Sequence, residues 1–165
     1  MLLAQDIRRA NKNVLDWGKW QTGNMTAAVF PLSRRRGRSF RLGSAYRWRL
    51  IRFEAEGSAF RLLVAFSLEK QQYRATLALE GDRDMSLIAS YEFHGTHPGW
   101  HMTAACGDVG AIPLGVMIGP WQRRIPKALA YQRSGRLPFG VGDDASALEV
   151  AAHFFRLHKA EGALL

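Results

Sequence analysis

The chain has 165 residues, of which 47% are hydrophobic and 22% charged, and it carries one cysteine. That composition is one globular domain spanning 1–165; it excludes wholesale disorder and an intramolecular disulfide. The 23 basic against 14 acidic residues give a net charge of +9, which favours an acidic partner such as nucleic acid, while the absence of a long apolar run or a signal-like start predicts a soluble, cytoplasmic chain without a membrane partner.

Residues 2–16 read as a helix, with Leu3, Ile7, Val14 and Leu15 tending to one side and Arg8, Arg9 and Lys12 elsewhere. Gly18 and Gly23 interrupt the pattern. The run SRRRGRSFRLG from Ser33 to Gly43 reads as a solvated basic loop carrying Arg34, Arg35, Arg36, Arg38 and Arg41.

From Ala45 the period changes to two. Tyr46, Trp48 and Leu50 alternate with Arg47 and Arg49, and the phase then slips at Ile51 as at a bulge. Clean alternating strands follow at Phe60–Leu68, Tyr73–Leu79 and Met85–Phe93, joined by short polar turns. This spells an antiparallel meander with one buried face. Arg47, Arg49, Arg61 and Arg74 are expected to point away from the Phe/Leu face, as a solvated stripe or as phosphate contacts for a nucleic acid. Beyond Cys106 the chain is Gly- and Pro-rich to Pro126 and reads as a long ordered loop.

A last helix is signalled by Ser146 and Glu149, which resemble a capping box, with Ala147, Leu148, Ala151, Phe154, Phe155 and Leu157 as its buried stripe. His153 and His158 read as structural or surface residues. The expected fold class is α+β: a four- to five-stranded antiparallel meander sheet packed with N-terminal and C-terminal helices.

The segment HGTHPGWHMTAACGD, His94 to Asp108, holds three of the five histidines and the only cysteine. Three chemistries fit it. His94, His97, His101 and Cys106 offer ligands of zinc-compatible type, although Pro98-Gly99 opposes a helical i, i+4 pair and no second cysteine supports the set. Cys106 is a nucleophile if histidine or positive charge lowers its pKa; otherwise it is a small buried hydrophobe. Two imidazoles of opposite protonation, with arginines on the phosphates, would serve a small metal-free ribonuclease. Trp100 is the tryptophan expected to line a pocket here. The leading readings use no cofactor, zinc being the one alternative.

The order of elements also resembles the ubiquitin-conjugating enzyme family. Gly57-Ser58-Ala59-Phe60 through Phe66 is similar to that family's central strand, Tyr73–Leu79 to the next, His97-Pro98 to its His-Pro-Asn turn, and Cys106-Gly107-Asp108 to its Cys-Leu-Asp. The resemblance implies a transferase carrying a ubiquitin-like protein as a thioester on Cys106. It also implies that Arg8, Arg9 and Lys12 meet the activating enzyme. Gly99 replaces the family's asparagine, so oxyanion support would fall to His97 or His101. A basic nucleic-acid-binding protein and a non-catalytic interaction module stand as the alternatives.

Overall fold

The computed structural model describes residues 1–34, 40–95, 99–117, 119–125, 131–132, 135–136 and 138–158. In chain order these form α1 (Ala4–Arg9), β1 (Lys12–Asp16), β2 (Gln21–Thr22), β3 (Arg47–Ala55), β4 (Ser58–Ser67), β5 (Gln72–Glu80), β6 (Met85–His94) and β7 (Gly99–Ala105). A 3-10 turn (Val109–Ala111), β8 (Gln122–Arg124), β9 (Tyr131–Gln132), β10 (Gly135–Arg136), α2 (Asp144–Phe155) and β11 (Leu157–His158) follow.

Among the described residues, nine strands make one sheet in the order β11-β1-β3-β4-β5-β6-β7-β8, with β2 beside β3. Strands β3 to β8 form consecutive antiparallel pairs, whereas β1 and β11 pair in parallel. This overturns the expected fold class. The molecule is mostly a nine-stranded sheet, with 47% strand and 15% helix and one helix longer than six residues. It is not a four- to five-stranded meander flanked by two helices.

The N-terminal helix fails first. After Ala10 the backbone is extended, and Lys12–Asp16 joins the sheet with alternating burial, Val14 inside and Leu15 at 67% exposure. The apolar residues at 3, 7 and 14 satisfied a helical period only because a short helix and a strand meet between them.

The sheet is covered on both faces, not one. Ile51, Phe53, Phe60, Leu62, Val64, Phe66, Tyr73 and Tyr91 pack toward α2, which contributes Ala147, Ala151 and Phe155. On the other face Leu63, Ala65, Ala78, Met85 and Leu87 lie under Met25, Phe30, Leu32, Phe40 and Leu42. The phase slip at Ile51 is therefore no bulge. The register from Arg47 to Ala55 against β4 is unbroken, and Trp48 and Leu50 serve the second core while Ile51 and Phe53 serve the first. The bulge in the meander falls on β6, where Ile88 is the extra residue opposite Leu77 and Ala78 of β5.

Helix α2 starts three residues earlier than its sequence signature implied. Asp143 is the N-cap and Ser146 the reciprocal N3 partner of the capping box. The Tyr73 hydroxyl donates to the Ala147 carbonyl at 3.0 Å, fixing α2 over the sheet.

Over the second face, Ser33 ties the covering segment down. Its amide donates to Asp84 Oδ1 at 2.9 Å, its hydroxyl bonds the same carboxylate, and Val116 N donates to its carbonyl at 2.9 Å. Gly115 must be glycine there: its φ is +80° and a Cβ would stand 2.3 Å from Ser33 Oγ.

Candidate functional site

Strand register builds the site. Residues two apart on a strand share a face, so Ser90, Glu92 and His94 of β6 project together over the second face. Antiparallel pairing sets Arg74 of β5 and His101 of β7 on either side of Glu92, and Thr76 and Thr103 on either side of Ser90. Two polar rows thus cross three central strands, on a surface whose neighbours are apolar core.

Glu92 is the hub. Its Oε2 lies 2.8 Å from His94 Nε2 and 3.7 Å from His101 Nε2, while Arg74 Nε donates to its Oε1 at 2.9 Å. Ser90 Oγ donates to the same Oε1 at 2.6 Å. Because that proton is committed, the 3.1 Å contact between Thr76 and Ser90 has Thr76 as the donor. The two imidazole rings stack, 5.2 Å between centroids and 28° between planes.

His101 Nδ1 faces the Gly99 carbonyl at 3.0 Å. A carbonyl only accepts, so Nδ1 carries a proton and Nε2 is the atom turned toward the carboxylate. Burial alone would raise the Glu92 carboxyl, but hydrogen bonds from His101 and His94, the Arg74 charge and the Ser90 hydroxyl outweigh it and hold it well below the usual carboxylate range. Reciprocally, the hydrogen bond to Glu92 raises His101 against the opposing effect of burial.

Two cavities flank this cluster. One of about 380 Å³ has Arg74, Thr76, Ser90, Glu92 and Thr103 on its polar side and Leu32, Phe40, Leu87 and Val116 on its apolar side. The other, about 300 Å³, is lined by Arg34, Arg41, Tyr46, Gln72, Arg74 and His94. Arg34 and Arg74 line both cavities, and their guanidinium carbons sit 4.4 and 5.2 Å from the ring centroid of Phe40, which lines the first.

The other expected site residues are dispersed. His97 and Pro98 lie outside the described residues, as do Arg35, Arg36 and Arg38. Cys106 is exposed in the turn after β7, five residues beyond His101, which at a strand's rise is about 17 Å. Asp108 does not face it, because its carboxylate caps the following 3-10 turn through Gly110 N. Cys106 does share a cavity of about 360 Å³ with Gln5, Arg8, Arg9 and Arg123. The bridge from Leu3 to Asp108 and the bond from Ala4 N to the Gly107 carbonyl hold α1 against that turn.

Lys12 is no docking residue. It is 2% exposed, and its ammonium donates to the carbonyls of Arg8, Ala10 and Phe155. Burial, then the nearby Arg156 and Arg8 charges, push it down to about 7.

The four strand arginines do not form one stripe. Arg47 and Arg49 pair across β4 with Phe66 and Val64 and so lie on the α2 face, whereas Arg61 and Arg74 lie on the other. Arg47 engages Asp144, Arg49 donates to the Trp17 carbonyl, Arg61 bonds Glu80 and Arg74 bonds Glu92. Trp100 faces away from His101, stacked on Tyr91 with its Nε1 donating to the Pro138 carbonyl.

Glu92, the residue that joins the histidines, went unread in the sequence. The signal was the spacing Glu92-x-His94 at the end of an alternating strand, together with a return strand that brings His101 opposite Glu92. Comparison with known families, with curated proteins and with solved structures gives no match in any of the three. No helix among the described residues is long and apolar enough to cross a membrane.

Proposed function

We propose that the chain is a metal-binding protein whose working centre is one zinc-like divalent ion held by Glu92, His94 and His101. One observation carries this reading: a carboxylate oxygen and two imidazole nitrogens lie within 4.8 Å of one another on paired strands. Tetrahedral zinc with bonds near 2.0–2.1 Å separates its donors by about 3.3 Å. The 2.8 and 3.7 Å contacts to Glu92 bracket that value.

The surroundings support the same reading. Gly99 fixes the His101 tautomer, and Arg74 and Ser90 orient the carboxylate through its other oxygen, which is how metal ligands are commonly held. Three protein ligands leave a position for water or substrate, where zinc supplies Lewis acidity. The adjoining cavity gives that position somewhere to face.

The test is zinc titration by calorimetry, with metal content measured after dialysis. One equivalent binding to wild type, lost in Glu92→Gln and in His101→Ala, is the expected result. Sub-stoichiometric binding, or equal binding by all three proteins, overturns it. An iron(II) titration runs alongside, because the same donor set suits non-haem iron.

A second reading keeps Cys106 as a nucleophile, as in a thioester-forming transferase. The observation favouring it is the cavity that the exposed thiol shares with Arg8, Arg9 and Arg123. The histidines placed beside Glu92 take no part in it.

A further inference from the structure

We propose that Arg34, Arg41 and Arg74, with Tyr46 and Gln72, form a binding site for a small oxyanion, the phosphoryl or carboxylate group of a compact ligand. The site is the cavity of about 300 Å³ beside His94. That volume is at the small end of ligand pockets and suits a compact molecule, where a polymer would need an open groove.

Three guanidiniums converge on this cavity with little to neutralise them. The ion pairs among the described residues place Glu92 on Arg74 and no carboxylate on Arg34 or Arg41. Glu92 is shared with two imidazoles, so it does not offset the arginines in full. Partial desolvation, and then repulsion from Arg74, lowers the affinity of Arg34 for its proton, and the opposing attraction of Glu92 and Tyr46 offsets this only in part. A bound oxyanion would relieve that repulsion and accept several charge-assisted hydrogen bonds at once.

Two of the three arginines are also held in advance of any ligand. Arg34 and Arg74 both lie on the Phe40 ring, and Phe40 N donates to the Leu32 carbonyl at 3.0 Å. The Tyr46 hydroxyl donates to Gln72 Oε1, which turns the amide nitrogen of Gln72 outward as a donor end. Ordering the side chains beforehand lowers the entropic cost of binding.

The arginine site stands on this geometry alone. That its occupant is the substrate of the metal centre rests on the proposed function, through His94, which belongs to both. Phosphate esters and carboxylates share the recognition chemistry, and the experiment separates them.

Inorganic phosphate and citrate are titrated into chelator-treated protein at constant ionic strength, by calorimetry, in wild type, Arg34→Gln and Arg41→Gln. Both arginines are exposed, so the variants keep the fold, which a melting curve checks. The expected result is saturable one-site binding of at least one probe, weakened by about tenfold or more in each variant. Which probe binds tells phosphoryl from carboxylate. Absence of saturable binding, or equal affinity in all three proteins, overturns the proposal. Binding that needs added zinc and ignores both substitutions also overturns it, while leaving the metal centre intact. Failure of the zinc titration with phosphate binding retained sinks the metal reading alone. A single-stranded oligonucleotide that binds where neither small probe does overturns the proposal in favour of a polyanion.

Discussion

Glu92 and His101 are direct cross-strand partners on β6 and β7, and Arg74 stands directly opposite Glu92 on its other side. One register therefore delivers a cation, a carboxylate and an imidazole in a line, and a one-residue slip would turn each of them to the opposite face. The site inherits its precision from the sheet.

Glu92→Gln keeps the shape of the hub and removes its charge. It is expected to abolish stoichiometric zinc binding and to leave the Arg74 guanidinium without its carboxylate. Breaking such a partly buried pair costs about 1–3 kcal/mol, measured by urea denaturation of the metal-free proteins. A Glu92→Gln protein as stable as wild type would show that the carboxylate carries no structural load.

Zinc binding should weaken as pH falls, because the metal and the proton compete for His101 Nε2. His101 is raised by Glu92, so the loss begins above the pH at which an ordinary histidine would protonate. Titrations at pH 6 and 8 should differ in affinity; equal values would count against His101 as a ligand.

Lys12 gives a signed pH dependence of stability. Its folded pKa of about 7 lies below the unfolded value of 10.5, so between those values the unfolded chain binds more protons. Stability from this group then rises with pH across that window and is least below pH 7. Denaturation of wild type at pH 7, 8 and 9 should show a steeper upward trend than Lys12→Met. Parallel trends would mean that the ammonium is solvated.

Gly115→Ala tests the tether that places Arg34. The φ of +80° and the Cβ contact with Ser33 Oγ predict a loss of about 1–3 kcal/mol, and phosphate affinity should fall with it. Wild-type stability in this variant would deny the close approach of Gly115 to Ser33.

For Cys106, the rate of alkylation against pH in wild type, Arg8→Gln and Arg123→Gln decides the second reading. Activation by the arginines predicts that each variant slows the reaction at pH 7. Indifference to both would reduce Cys106 to an exposed thiol.

The strands β4 to β6 were legible because their apolar residues alternate, and β3 was legible as a strand despite its change of phase at Ile51. What alternation could not tell was that the opposite positions were also covered. Trp48 and Leu50 looked out of phase with Ile51 and Phe53 because each pair answers to a different core. Arg61 and Arg74 read as solvated because a strand pattern does not reveal that Met25, Phe30, Leu32, Phe40 and Leu42 lie over that face. The sequence grouped His94 with His97, His101 and Cys106, and the structure sets His94 and His101 beside Glu92 instead. Their carboxylate partner was missed because the return strand β7 begins at Gly99, beside a proline that read as a turn. Lys12 was misplaced for a similar reason: charge implies exposure, and only the three carbonyls around it explain its burial.

The parallel pairing of β1 with β11 has a consequence for how the chain must fold. Lys12 N donates to the Arg156 carbonyl, and Lys12 pairs in register with Leu157. Strand β1 can be made early, but one side of it stays unprotected until the residues at 157 and 158 arrive. A contact across that span of sequence is slow to form, and an uncovered strand edge recruits other chains in the meantime. Among the described residues, Leu157 and His158 are what cover the Lys12–Asn13 end of β1, so a nascent or shortened chain would present that end as an adhesive edge.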